Sequence, residues 1–330
     1  MKRIFVIATG GTIACREGEQ GLVPELPLEE LLNYVPKIRE HCELGAVQLM
    51  NLDSSNMQPK DWLRIAEKIQ KEYERYDGFV VLHGTDTMAY TAAALSYLLQ
   101  NSPKPIVLTG AQKPIDEDIS DARGNVIQSI LYACDDRASD VNFVFNGEVI
   151  AGTRGRKIRT KSFNAFSSMD FPHKGVIRDN HVVHYIDRKN PGPLKAYRRL
   201  DEKIFVLRLI PGLDAGILEY LGERYHGIVL EGFGIGGFPS LSEMGFREGI
   251  TRLLDRGIVV VATTQVPLEG SDLNVYEVGR LFKKDERLLE AYNMTLEAIV
   301  TKLMWILPQT GDWKEVHRLF YQEINFDIWR

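Results

Sequence analysis

The chain of 330 residues has only three cysteines, Cys15, Cys42 and Cys134, odd in number, far apart and outside any CxxC spacing. That excludes a disulfide framework and a thiolate zinc site, and it points to free thiols in a reducing compartment. No apolar run approaches the ~18 residues needed to cross a bilayer. An excess of one charge is also missing. The 40 basic and 45 acidic residues leave a net −5 without any long basic run, which argues against a nucleic-acid or anionic-membrane surface. The seven histidines show no HExxH or paired-ligand spacing, so no metal is expected. After Met1-Lys2-Arg3 come only five apolar residues, Ile4 to Ala8. A secretory signal needs about 7–15. The run reads as a buried first strand, and the protein as cytoplasmic.

What is present is an ordinary globular balance, 44% hydrophobic and 26% charged, in a length that suits about two domains. Short apolar runs at 3–8, 78–82, 105–108, 141–145, 204–209, 227–230 and 257–262 alternate with helical spacing, as at 59–73 and 88–99. This pattern predicts an α/β protein whose sheets are mostly parallel and flanked by helices. Pro59 and Asp61 suit a first helical turn. Asn146-Gly147 between apolar pairs reads as a β-hairpin. Pro191-Gly192-Pro193 among charges marks a boundary. The expectation is a larger N-terminal domain over 1–190, a linker over 191–203 and a smaller C-terminal domain over 204–330.

Three glycine loops follow apolar runs. Gly232-Phe233-Gly234-Ile235-Gly236-Gly237 fits the dinucleotide pattern GxGxxG, a weak signal by itself. Pro239 and Ser240 push the next helix beyond the last glycine, and the strand at 257–262 leads into Thr263-Thr264-Gln265 without an acidic residue for a ribose. An NAD-dependent dehydrogenase stays an alternative, but the loop reads better as a plain connection. The second loop, Thr9-Gly10-Gly11-Thr12-Ile13, lies beyond the carboxyl end of the first strand, where open α/β sheets bind ligands. Its glycines admit close backbone approach and offer N–H donors, and Thr12 adds a hydroxyl.

The third loop is His83-Gly84-Thr85-Asp86-Thr87, delivered by the run at 78–82 directly into a helix. Its threonines and aspartate could simply be helix caps. That leaves unexplained why a second hydroxyl-bearing glycine loop leaves a second strand end. His83 reads as a packed structural histidine, and no serine elbow is present with which to assemble a Ser-His-Asp triad.

Together these two loops resemble the asparaginase/glutaminase family of threonine amidohydrolases. Ile7-Ala8-Thr9-Gly10-Gly11-Thr12-Ile13-Ala14 is similar to its first signature, and residues 78–88 are similar to its second, which contains HGTDT. Leu52-Asp53-Ser54-Ser55-Asn56-Met57 and residues 257–265 carry the same likeness, which runs over essentially the whole chain and looks like the cytoplasmic, type I L-asparaginases of bacteria. The resemblance implies a two-domain asparaginase-like fold and hydrolysis of L-asparagine to L-aspartate and ammonia, without cofactor. It implies Thr12 as the nucleophile that forms an acyl-enzyme ester, and Thr85, Asp86 and Lys157 as a second catalytic cluster. Asp53, Ser54, Ser55, Thr85 and Asp86 would bind the substrate's α-carboxylate and α-ammonium. It also implies a homodimer or homotetramer.

The chemistry is coherent. A threonine hydroxyl is a poor nucleophile until a neighbouring base or charge activates it, and a lysine balanced by an aspartate can do so. By itself Lys157, in Arg154-Gly155-Arg156-Lys157, would read as part of a solvated basic face; the family match supplies its role. The chain departs from the family pattern at Leu22, which stands where a loop tyrosine is expected; the nearest downstream tyrosine, Tyr34, lies in a helical segment. That departure leaves open an amino-acid-binding sensor with weak catalysis. Asparagine against glutamine is open too, since one methylene is typically worth only about 1–3 kcal/mol.

Overall fold

Apart from residues 204–208, which stay mostly half-buried, the apolar runs become strands buried on both faces, as parallel sheets covered by helices require. The computed structural model describes residues 1–18, 21–24, 26–187 and 192–329. Its chain divides into two units, Met1–Arg198 and Arg199–Arg330. Strands of the first unit are β1 (Lys2–Gly10), β2 (Cys15–Gly18), β3 (Gly21–Pro24), β4 (Cys42–Leu52), β5 (Gly78–Leu82), β6 (Leu99–Gln100) and β7 (Ile106–Thr109). They continue with β8 (Val141–Phe145), β9 (Glu148–Ala151), β10 (Gly155–Lys157), β11 (Phe166–Ser168), β12 (Gly175–Arg178), β13 (His181–His184) and β14 (Lys195–Ala196). Its helices are α1 (Leu28–Asn33), α2 (Pro59–Glu72), α3 (Met88–Leu98) and α4 (Ala122–Cys134).

Eight strands form one sheet in the order β13-β12-β9-β8-β7-β5-β1-β4. From β4 to β8 every pairing is parallel. The pairings from β8 through β9 and β12 to β13 are antiparallel. Ala8 of β1 stands level with Leu82 of β5 and Gln48 of β4. The loops that leave β1, β4, β5 and β7 therefore emerge side by side on one edge. Ile4, Val6, Val80, Leu82, Val107 and Val144 from the strands pack with Val126 and Ile130 of α4 in one buried cluster. Each such side chain stabilises by about 1.5–3 kcal/mol when fully buried.

Helix α2 begins as its sequence predicts. Pro59 occupies the first turn, the Gln58 N–H donates to Asp61 at 3.1 Å, and Trp62, Ile65, Ala66 and Ile69 form the buried stripe. The predicted hairpin joins β8 to β9, with Asn146 and Gly147 at φ 51° and 79°, the two successive left-handed residues of a tight turn. Lys195–Ala196 pairs with β6, so part of the expected linker forms a strand of the first unit. Pro191 lies outside the described residues.

In the second unit, β15 (Ile204–Arg208), β16 (Gly227–Gly232), β17 (Val259–Thr264) and β18 (Leu289–Glu290) form an all-parallel sheet in that order. The helices are α5 (Gly216–Gly222), α6 (Phe246–Asp255), α7 (Glu277–Lys283), α8 (Leu296–Ile306) and α9 (Trp313–Tyr321). Leu207, Ile228, Leu230 and Val260 pack with Leu218, Phe246, Ile250 and Leu253. The GxGxxG segment folds on itself: Phe233 pairs with Gly237, and Gly234 and Gly236 take φ 51° and 107°. The next α-helix starts only at Phe246. A dinucleotide site needs a helix N-terminus opening at the glycines, and this loop has none. Among the described residues, no helix is long and apolar enough to cross a membrane, and no group of three or more His, Cys, Asp or Glu could hold a metal ion.

Candidate active site

Four loops meet at the carboxyl edge of the main sheet, and glycines let them meet closely. At the end of β1, Gly10 and Gly11 take φ 102° and 85°. The Gly11 N–H donates to the Leu52 carbonyl at 3.0 Å, tying this loop to the end of β4. A Cβ on Gly11 would overlap the backbone of Gly84, and one on Gly84 would lie 2.6 Å from Ser54 Oγ and 3.2 Å from Gly11 Cα. Only hydrogens fit between the loops bearing Thr12, Ser54 and Thr85. Thr12 then opens the single 3-10 turn Thr12–Ala14.

The loop after β4 is a 3-10 turn, Ser54–Asn56, capped by Asp53, whose Oδ1 accepts from the Ser55 N–H at 2.8 Å and the Ser55 hydroxyl at 2.7 Å. These two donors hold the Asp53 carboxyl below its ordinary pKa. Ser54 is buried and Ser55 exposed. The Thr87 hydroxyl donates to the Ser54 carbonyl at 2.7 Å, fastening this turn to the loop after β5.

That loop carries the charged centre. Lys157 Nζ donates to Thr85 Oγ1 at 2.7 Å and to Asp86 Oδ1 at 2.6 Å. Lys157 and Asp86 are 71 residues apart in sequence, and β10, paired antiparallel with β11, delivers the lysine. The Lys157 side chain is 17% exposed and that of Asp86 65%. The lysine is thus shielded, while the carboxylate faces solvent, open to a cationic group. An ammonium against Thr85 Oγ1 favours negative charge developing on that oxygen. Among the described residues, Lys157 bonds to Thr85 and Asp86 and not to Thr12.

Two participants escape a reading of the sequence. The Thr85 hydroxyl donates to Gln112 Oε1 at 3.2 Å. Gln112 follows β7, and its backbone N–H lies 3.0 Å from both carboxylate oxygens of Asp121, just before α4. Burial pushes the Asp121 carboxyl above its ordinary pKa. The Gln112 side-chain amide donates to Ser162 O at 3.2 Å. Thr109-Gly110-Ala111-Gln112 is a further glycine loop at a strand end, the one signal that could have found it.

His83 is structural, as its sequence reading has it. It is wholly buried, its Nδ1 donates to the Gly84 carbonyl at 2.7 Å, and Nε2 meets the Thr91 hydroxyl at 2.9 Å. Burial pushes its pKa down to about 4. The basic run around Lys157 is no solvated face. Arg154 is fully buried with its guanidinium 5.4 Å from the Phe171 ring centre. The Leu22 side chain, with Glu19 and Gln20 before it, lies outside the described residues. Tyr34 caps the end of α1, with the Arg123 guanidinium 5.4 Å from its ring centre.

Comparison with known proteins gives a consistent likeness. Residues 3–190 match the family model described as "Asparaginase, N-terminal", and residues 203–320 match "Glutaminase/Asparaginase C-terminal domain". The chain is 35% identical over 328 residues to an L-asparaginase of Thermococcus kodakarensis, covering 99% of each protein. It is 36% identical over 331 residues to a component of the Glutamyl-tRNA(Gln) amidotransferase of Pyrococcus furiosus, covering 96% of this chain and 74% of that one. It is 32% identical over 345 residues to L-asparaginase 1 of Escherichia coli, covering 99% and 98%. Among solved structures, the thermostable Thermococcus kodakarensis L-asparaginase superposes with a TM-score of 0.93 at 34% identity over 99% of both chains. A probable cytoplasmic L-asparaginase of Campylobacter jejuni gives 0.82 at 28% identity over 97% and 99%.

Proposed function

This chain belongs to the asparaginase/glutaminase family and has its two-domain fold, and we propose that it is an L-asparagine amidohydrolase working through a threonine acyl-enzyme. The observation that carries the reading is the Lys157–Thr85–Asp86 cluster, interlocked through Gly84 and Gly11 with the loop of Thr12. Thr12 Oγ1 attacks the side-chain amide carbon. Its proton is relayed through the Thr85 hydroxyl, which the Lys157 ammonium holds, to the amide nitrogen, which leaves as ammonia. Water then attacks the ester, releasing L-aspartate and restoring the Thr12 hydroxyl. Asp86 pairs with the substrate ammonium; Ser54, Ser55, Thr85 and the glycine-loop N–H groups suit its carboxylate, and Asp53 shapes the Ser54–Asn56 turn.

The amidotransferase relatives raise the alternative that ammonia made here feeds another reaction. Release of free ammonia from asparagine by the chain alone, measured beside glutamine, separates the two. Asparagine binding without ammonia release would instead make the chain a sensor. The proposal includes a cytoplasmic homodimer or homotetramer. Ile210, Leu241, Leu268 and Tyr276 of the second unit, each more than half exposed, follow strand ends or adjoining loops and favour association.

A further inference from the structure

Two of the three thiols meet at the amino-terminal edge of the main sheet, the edge opposite the candidate site. Cys42 opens β4, where its register partner across the parallel ladder is Lys2 of β1. Lys2 forms an ion pair at 2.6 Å with Asp136, just beyond Cys134, the last residue of α4. Register and ion pair together bring the end of α4 over the start of β4. There the Cys42 and Cys134 thiols lie close enough to act on each other's ionisation, and the Cys42 Sγ donates to the Ile38 carbonyl at 3.8 Å. Cys42 is buried within the main hydrophobic cluster, and Cys134 packs against it while staying partly exposed. The proximity polarises the pair: Cys134 lowers the pKa of Cys42, and Cys42 followed by burial raises that of Cys134. Cys15 contrasts with both. It is buried, its Sγ donates to the Gly11 carbonyl at 3.5 Å, and burial raises its pKa to about 11, the condition of an inert thiol.

We propose that Cys42 and Cys134 form an oxidation site that closes to an intramolecular disulfide when hydrogen peroxide reaches it. One thiol attacks a peroxide oxygen. The S–O bond forms, the O–O bond breaks, and water leaves behind a sulfenic acid. The neighbouring thiol attacks that sulfur. The S–S bond forms, the S–O bond breaks, and the departing hydroxide takes the thiol proton as a second water. Two thiols lose two electrons, and one peroxide becomes two waters.

The crosslink joins β4 and α4 at the ends remote from their functional loops. The far end of β4 carries Asp53 and Ser54, and the far end of α4 abuts Asp121, which holds Gln112. Oxidation should therefore change stability more than activity. Closing the long loop from 42 to 134 constrains the unfolded chain, and a rise in melting temperature on the order of 5 °C is expected.

The test treats the full-length protein with hydrogen peroxide, blocks remaining thiols with N-ethylmaleimide and digests it without reductant. Mass spectrometry should find the Cys42 and Cys134 peptides joined and two hydrogens lighter than their sum, with Cys15 alkylated. The melting temperature should rise, fall again with dithiothreitol, and stay unmoved by peroxide in Cys134→Ser. Cys42 and Cys134 both recovered alkylated, or Cys134 recovered as a sulfinic acid without a crosslink, would overturn the proposal. The parent's mass spectrum decides the matter by itself if the variant does not fold.

Discussion

Gly84→Ala isolates the interlock between the loops, because it adds one methyl group and no charge at a backbone conformation that alanine tolerates. The new Cβ would lie 2.6 Å from Ser54 Oγ, 2.7 Å from Ser54 Cβ and 3.2 Å from Gly11 Cα, where ordinary contact begins at 3.4 Å. Something must therefore move by about 0.8 Å, from 2.6 to 3.4 Å. Ser54 is buried and its carbonyl is held by Thr87, so it cannot swing into solvent. Retreat of the Thr85 loop is resisted from behind, where Gly110 packs its backbone against the His83 carbonyl. Overpacking of this kind costs about 1–3 kcal/mol of stability. A displacement near 1 Å between reacting groups costs roughly a hundredfold in rate. The assay is kcat/KM for ammonia release from asparagine beside a thermal melt. Adding Ser54→Gly removes both of the closest clashes. The double variant should recover the melting temperature but not the activity, since Ser54 is proposed to touch substrate. A Gly84→Ala protein that melts and turns over like the parent would refute the interlock.

Thr12→Ala should abolish any covalent acyl-enzyme, while Thr85→Val should nearly abolish turnover through lost proton transfer. Groups acting as a unit are non-additive, so the double variant should be scarcely worse than either single one. Mass spectrometry after acid quench locates the adduct, and an adduct on Thr85 would reverse the assignment. Asp86→Asn removes the charge that Lys157 and the substrate ammonium share, and should lower kcat/KM about 10²–10³-fold; a folded variant with parental kinetics would take Asp86 out of the site. His83 gives a pH dependence of stability. The unfolded chain binds a proton as pH falls through the ordinary histidine value of 6.5, whereas the folded chain resists until about 4. The stabilisation is whole above pH 6.5 and is lost as pH falls toward 4, amounting to about 3 kcal/mol. Urea midpoints at pH 7.5 and 4.5 should show that loss in the parent and less of it in His83→Gln, and equal slopes would rule it out.

How much of this could be read from the sequence depended on where the signal was local. Strands such as Gly78–Leu82 are continuous apolar runs, and the loops that leave them carry glycine beside threonine, so both were visible. β4 was not. It is an edge strand in which only Cys42 and Met50 are buried, it has no dense β-branched run, and its register is set by pairing with β1. The GxGxxG segment shows the opposite failing. A pattern can match while the helix that gives it meaning begins only at Phe246. Lys157 was ambiguous because a basic run has the same composition whether solvated or enclosed. What decides is the packing of Arg154 near Phe171 and of Gly155 against the Phe143 ring, and neither contact is local.

The same reasoning explains why Gln112 and Asp121 were invisible while their neighbours were not. Neither lies in a signature loop, and their effect on Thr85 runs through two successive hydrogen bonds. The Asp121 carboxylate accepts from the Gln112 backbone, and Gln112 Oε1 accepts from the Thr85 hydroxyl. With its proton directed at Gln112, the Thr85 oxygen turns its lone pairs toward Lys157. In that orientation Thr85 can take a proton from an incoming hydroxyl only as it passes on its own, the part of a relay. The proposal gives the attack to Thr12 and this relay to Thr85. The orientation of Thr85 follows from the placement of an amide side chain outside the two signature loops, so the cluster's composition was legible in advance while its polarity was not.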